Sequence, residues 1–267
     1  MVLTVFGAAI VVVSVNQLRW QKRVSREMRS LLALSVPGTA ATKTATLPPP
    51  VARYRDLAVG QCAPVQTLNL RHAGTFCMAP GGKSLPIQGT QIFTSDPPGF
   101  VWSARVQMAP GIWFVARDMA VAGKGSMLVL LDATFALADA DGPLIDQGSA
   151  LRLLAEMVWY PSALFDARYV TWAAIDESHA RATLRFGEQD VSGIFEFGAD
   201  GLPVAMNAQR FTDKGELRPW GGTYRDWRTV SGMRVPFEAS VTWQFEAGPF
   251  TYAHWLVETM AYDAQSV

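Results

Sequence analysis

The side chains of this 267-residue chain that could do chemistry are few and scattered. The histidines His72, His179 and His254 lie far apart, and no H-E-x-x-H, G-x-S-x-G or glycine-rich phosphate loop occurs. His254 and Glu258 would share a face only on a helix; on a strand they stand about 13 Å apart, too far to hold one metal. Asp139, Asp141 and Asp146 approximate a calcium loop. Leu137 takes the first ligand position and the distal Glu is absent, so a plain β-turn is expected. Asp176-Glu177 reads as a solvated turn, because consecutive strand residues face opposite ways. Cys62 and Cys77 match no zinc spacing; burial as free thiols and pairing in an oxidising compartment both stay open. No catalytic residue, metal site or cofactor is assigned, and a non-enzymatic role is expected. The enzymatic alternative has scattered polar residues such as Arg117, Asp118 and Glu156 converging in a cavity.

Aromatics are the more suggestive resource. Trp220-Gly-Gly-Thr-Tyr224 and Trp227 set rings beside glycines, as sugar- or lipid-contacting loops do, although packing in a core is the default use of such rings. Nine tryptophans in all could line an apolar cavity in a β protein with a concave face.

The elements that must position these groups are mostly strands. From Met233 to Glu246 apolar and polar residues alternate: Met233, Val235, Phe237, Ala239, Val241, Trp243 and Phe245 fall on one face, and the polar residues, with Pro236, on the other. One wet and one buried face argue for an antiparallel sheet. Further strands are expected at Val65–Met78, Ile87–Phe93, Phe100–Met108, Ile112–Val121 and Ser126–Leu137. More follow at Tyr169–Ile175, His179–Phe186, Val191–Phe197, Leu202–Phe211, Thr223–Thr229 and Phe250–Tyr262. Gly187, Ala199-Asp-Gly201, Asp213-Lys-Gly215, Ser231-Gly232 and Gly248-Pro249 supply the turns. One helix interrupts them at Gly148–Tyr160, with Ser149 as N-cap, an Arg152/Glu156 i,i+4 pair and Pro161 ending the run. A short helix is expected at Val51–Leu57. Some twelve strands around one helix predict a mainly β domain, an antiparallel, strongly curved half-barrel with a covering helix.

Hydrophobic residues make up 49% of the chain and the formal net charge is zero, but its distribution is uneven. Residues 1–50 hold six Lys/Arg and one Asp/Glu, and the remainder 17 and 22. A mildly acidic body gives no footprint for nucleic acid. Met1–Val15 is almost wholly apolar, and Arg19, Lys22, Arg23, Arg26 and Arg29 follow it. Extended to Leu18, the run makes a helix of roughly 27 Å against a hydrocarbon core of about 30 Å. With no basic residue before it and no small-residue cleavage site after it, it reads as an uncleaved membrane anchor. Val24, Met28, Leu31 and Leu32 keep helical spacing, so residues 1–34 form anchor and juxtamembrane helix, 35–46 a small polar linker, and 47–267 the β domain. No core contribution is expected before Leu47.

Several phrases carry a resemblance. Leu47-Pro-Pro-Pro-Val-Ala-Arg-Tyr54, Pro97-Pro-Gly-Phe-Val-Trp102 and Leu154-Ala-Glu-Met-Val-Trp159 with Pro161 are three of them. Trp172-Ala-Ala-Ile-Asp176 with Ala180-Arg-Ala-Thr183, Pro219-Trp-Gly221, and Gly232 with Pro236 complete the set. Together they resemble an uncharacterised bacterial domain family of unknown function over Leu47 to Tyr262. More distantly, Pro98-Gly-Phe-Val-Trp102 and Tyr224…Gly232…Pro236 resemble the LolA/LolB-type lipoprotein carriers. That resemblance implies an unclosed antiparallel barrel around an apolar cavity, and a lipid or lipoprotein acyl chain as ligand. The candidate pocket is then Leu154, Met157 and Val158 of the helix facing Phe195, Phe237, Val241 and Trp243 of the sheet. A structural or sensor domain binding a partner protein through an edge strand is the other non-catalytic reading. The location implied is the bacterial inner membrane with the domain outside the cytoplasm. The basic cluster after the span argues for the opposite orientation, unless the true start codon lies upstream of Met1.

Overall fold

The computed structural model describes residues 2–35 and 46–263, with side chains from residue 11 onward. Three helices, α1 (Val2–Leu34), α2 (Pro49–Ala58) and α3 (Pro143–Glu156), accompany a single sheet. The first arm of the sheet is β1 (Thr67–Phe76), β2 (Leu85–Ser95), β3 (Pro98–Ala109), β4 (Ile112–Val121), β5 (Lys124–Leu131) and β6 (Phe135–Asp141). The second arm is β7 (Val170–Ala174), β8 (His179–Phe186), β9 (Gln189–Phe197), β10 (Pro203–Phe211), β11 (Leu217–Val230), β12 (Met233–Phe245) and β13 (Gly248–Tyr262).

All thirteen strands pair in the order β6-β5-β4-β3-β2-β1-β13-β12-β11-β10-β9-β8-β7. Each arm is an antiparallel meander, and β1–β13 pairing joins the first strand to the last. β6 and β7 stay unpaired with each other, so the barrel is not closed by hydrogen bonds. The sheet curls far enough that the β4–β5 and β8–β9 turns touch. Gly123 and Gly187, both at positive φ, meet so closely that a Cβ on either would lie 2.7 Å from the Cα of the other.

The expected strand Ser126–Leu137 is two strands. Asp132 closes the β4–β5 ladder through Trp113 N–H to its Oδ1 at 3.0 Å, and the chain then reverses with Asp132 and Ala133 at positive φ. The expected β-turn around Asp139–Asp146 also differs. Asp139 and Asp141 lie in β6, while Asp146 is in the first turn of α3, accepting from Gly125 N–H (2.7 Å) and Lys124 Nζ (3.1 Å). That carboxylate suits a helix N-terminus. Ser149 is thus inside the helix and Gly142 is its N-cap; the helix ends at Glu156, and Met157–Trp159 continues as a 3₁₀ turn.

The expectation that nothing before Leu47 joins the core is corrected. Trp20, Val24, Met28 and Leu31 form the buried stripe of α1, packed on Ile92, Val101, Val115 and Leu128 of β2–β5. This is the outer face of the sheet. Glu27 and Arg117 meet across the same contact at 3.2 Å. The helical spacing expected of Val24, Met28, Leu31 and Leu32 is observed, Leu32 being partly buried, and the sheet receives these side chains. Of the expected span Met1–Leu18, the side chains of residues 1–10 lie outside the described residues, as do linker residues 36–45. Among the described residues no helix is long and apolar enough to cross a membrane.

Candidate functional site

The inner face of the curled sheet is too wide for its own side chains to fill. α2 and the 3₁₀ turn Pro161–Phe165 plug one end, where Tyr54 packs on Phe165, Phe197 and Trp227. α3 crosses between the arms, contacting β4 and β5 on one side and β9 and β10 on the other. Gln147 grips the second arm by donating to Gln209 O (2.9 Å) and accepting from Phe211 N–H (3.2 Å). Two tyrosines tie down its C-terminal end: Tyr224 OH donates to Ala155 O (2.9 Å) and Tyr262 OH to Trp159 O (2.7 Å), supplying partners to carbonyls that a helix end leaves free. α3 is therefore a strut pinned at both ends.

Between α3 and the sheet remains a cavity of about 450 Å³. Its wall is apolar: Ile87, Val106, Phe114, Val129, Trp220 and Trp255 are among its lining residues. Met78 and Leu137, both exposed, are also part of its lining, so the cavity meets solvent there. Gly222 helps to keep it empty. A Cβ there would meet nothing closer than Ser240 O at 3.6 Å, so the missing side chain is cavity space.

One polar cluster stands on the wall. Arg152 donates from Nη1 to Asp118 Oδ2 (2.7 Å) and from Nε to Glu156 Oε1 (2.8 Å), while Gln91 Nε2 donates to Glu156 Oε2 (2.7 Å). The guanidinium lies over the rings of Phe100 and Trp102, 4.8 and 4.7 Å from their centroids. Burial pushes the Glu156 carboxyl up, with the Arg152 charge opposing it. Burial disfavours the Arg152 charge, but Glu156 and Asp118 outweigh this and raise its pKa. Beside the cluster Trp102 Nε1 donates to His72 Nε2 at 2.8 Å, so the lone pair of that imidazole is used. Burial, then the nearby Arg152 charge, lowers the His72 pKa to about 3, and the ring is neutral.

Of the expected pocket residues, Val241 lines the cavity. Leu154, Met157, Val158 and Phe195 are fully buried in the main core. Phe237 and Trp243 are half-buried at its margin, with Phe237 under the Arg228 guanidinium. The reason is the roll of α3. It is buried nearly all round, so its leucines go to the core between the arms, and the Arg152–Ala155–Glu156 side faces the cavity. Asp118 and Glu156 do converge there, as the enzymatic alternative supposed, but both are tied to Arg152. Arg117, the next strand residue, points to the outer face. The Trp220–Tyr224 segment gives Trp220, Gly222 and Tyr224 to the lining, whereas Trp227 joins the plugged end.

His254 pairs with Glu238 across β12–β13 at 3.0 Å, and His179 with Asp176 in an exposed turn at 2.9 Å. Among the described residues no group of three potential ligands could hold a metal. Cys62 and Cys77 are free thiols, preceding and following β1 and so at opposite ends of it.

Residues 38–255 match a family of unknown function, DUF6544. The chain belongs to that family. No curated protein matches the chain. Among solved structures, this DUF6544 chain is similar to the LolA superfamily protein NE2245 from Nitrosomonas europaea, at 10% identity and TM-score 0.43, over 81% of this chain and 93% of that one. It is also similar to a DUF1329 family protein from Desulfovibrio piger, at 13% identity and TM-score 0.44, over 82% and 95% of the two chains. Such distant likeness concerns the course of the chain and says nothing of a ligand.

Proposed function

We propose that this protein binds an apolar or amphipathic small molecule, a lipid or a single acyl chain, without chemically changing it. The carrying observation is the apolar cavity of about 450 Å³ under α3. Its volume lies in the range of small-molecule sites, about 300–1,000 Å³, and an apolar cavity favours hydrocarbon over water. A non-catalytic role is supported by the state of the acids at the wall, since Asp118 and Glu156 are each engaged by Arg152. On this reading the domain lies outside the cytoplasm, close to the membrane from which such a ligand would come, and a phosphatase fused after Val267 is active.

The test is direct. Detergent-free protein examined by native mass spectrometry should carry lipid, and the neutral dye Nile red should bind saturably and be displaced by a long-chain alcohol. Dye binding that is absent or unsaturable removes the reading.

A partner-binding role has one observation of its own. β6 is an open sheet edge, mostly exposed, with Phe135 facing solvent. Asp139 and Asp141 blunt that edge against indiscriminate pairing.

A further inference from the structure

Arg210 is the cation of the cavity that no carboxylate neutralises. It lies near the end of β10, half-buried, and lines the cavity. Its guanidinium stacks on Trp220 and Trp243, 4.9 and 5.7 Å from the ring centroids. Among the described residues it makes no ion pair. The acids that share the cavity, Asp118 and Glu156, are held by Arg152. α3 makes room for this arrangement at Gly148, where a Cβ would lie 2.9 Å from Arg210 Nε and 3.0 Å from Nη2. Alanine is the better helix former at such a position, and the glycine here lets a guanidinium pass beneath the helix.

We propose that Arg210 receives the anionic headgroup, carboxylate or phosphate, of an amphiphile whose hydrocarbon chain fills the cavity. This rests on the reading of the cavity as a lipid site and adds the headgroup class. The planar fork of arginine suits two oxygens of one anion, and stacked aromatic rings hold it in place before the ligand arrives. At the cavity edge the anion keeps part of its hydration while the chain extends toward Phe114, Ile87 and Trp255. The lining offers an ammonium headgroup no free partner of this kind, because Asp118 and Glu156 are already bonded to Arg152.

The experiment is displacement of Nile red by dodecanol, dodecanoate, dodecyl phosphate and dodecylammonium, each below its micelle concentration. Dodecanol reads the cavity alone, so failure of every chain removes the lipid-site reading itself. With dodecanol active, the inference expects the anions to displace about tenfold more tightly than the alcohol, the worth of one charge-assisted hydrogen bond. In Arg210→Gln the anion-to-alcohol ratio should fall toward one, and Arg210→Lys should keep part of it. Gly148→Ala, which keeps the charge and favours the helix but displaces the guanidinium, should also lower the ratio, and it serves if Arg210→Gln does not fold. The order of dodecanoate and dodecyl phosphate distinguishes a fatty-acid from a phospholipid source. Equal binding of anion and alcohol, tighter binding of dodecylammonium, or an unchanged ratio in Arg210→Gln overturns the inference.

Discussion

At the scale of single residues, His72 and Gly222 give opposite kinds of leverage. The folded protein keeps His72 neutral down to about pH 3, whereas the unfolded chain protonates it near its ordinary 6.5. A lowered pKa means stability is complete above about pH 6.5 and is lost as pH falls toward 3. The slope from this group is up to about 1.4 kcal/mol per pH unit. Urea unfolding at neutral and mildly acid pH should show that slope, and His72→Gln, whose amide oxygen can still accept from Trp102, should flatten it. An unchanged slope would mean that the buried ring is not what titrates. Gly222→Val should do little to stability, within about 1 kcal/mol, since a Cβ there makes only ordinary contacts at 3.6 Å and beyond and valine suits a strand. The same substitution should weaken Nile red binding at least about tenfold by filling the cavity; full binding would place the dye elsewhere.

At the scale of elements, α1 and α3 both pack by rules the sequence carries, yet on surfaces it does not name. Helical spacing of Trp20, Val24, Met28 and Leu31 fixes one apolar stripe, and this stripe suits a bilayer interface as well as a sheet. The convex face of β2–β5 presents the complementary Ile92, Val101, Val115 and Leu128. Trp20→Ala should therefore cost about 3–5 kcal/mol in solution, as expected for a buried aromatic. Deleting residues 1–34 should lower stability and bare that outer face; a deletion variant as stable as the full chain would show the contact to be weak. α3 teaches the converse. Arg152 and Glu156 are four apart, which suits an exposed i,i+4 pair equally well. Only the pairing of Arg152 with Asp118 and of Glu156 with Gln91 turns them inward.

Across the whole molecule, the cavity belongs to both arms at once, with Phe114 and Val129 from the first and Trp220 and Val241 from the second. The arms are joined by β1–β13 pairing, by α3, and by the contact of Gly123 with Gly187. They should unfold as one unit. A ligand at a hundredfold excess over its Kd should stabilise the whole chain by about 2.7 kcal/mol. Hydrogen exchange in β4 and in β11 should slow together on ligand binding. Protection confined to one arm would contradict a shared cavity.

Much of the local structure is legible in the chain alone. Alternation placed Ala239 and Val241 on the inner face and predicted the strand Met233–Glu246, which is observed as Met233–Phe245. The strands expected at His179–Phe186 and Ile112–Val121 are found with those bounds, and the motifs point to a family of unknown function. These signals depend on neighbours in the chain, where spacing alone decides which side chains share a face. The tertiary structure decided the rest. The union of β1 with β13, the roll of α3 and the seat of α1 all depend on partners far away in the chain, from a few tens of residues to nearly two hundred. A helix buried on nearly every side has no single apolar stripe to reveal its orientation. For that reason spacing alone suggests Leu154, Met157 and Val158 as pocket residues, and Arg210 gains its place only from the two tryptophans and Gly148 around it.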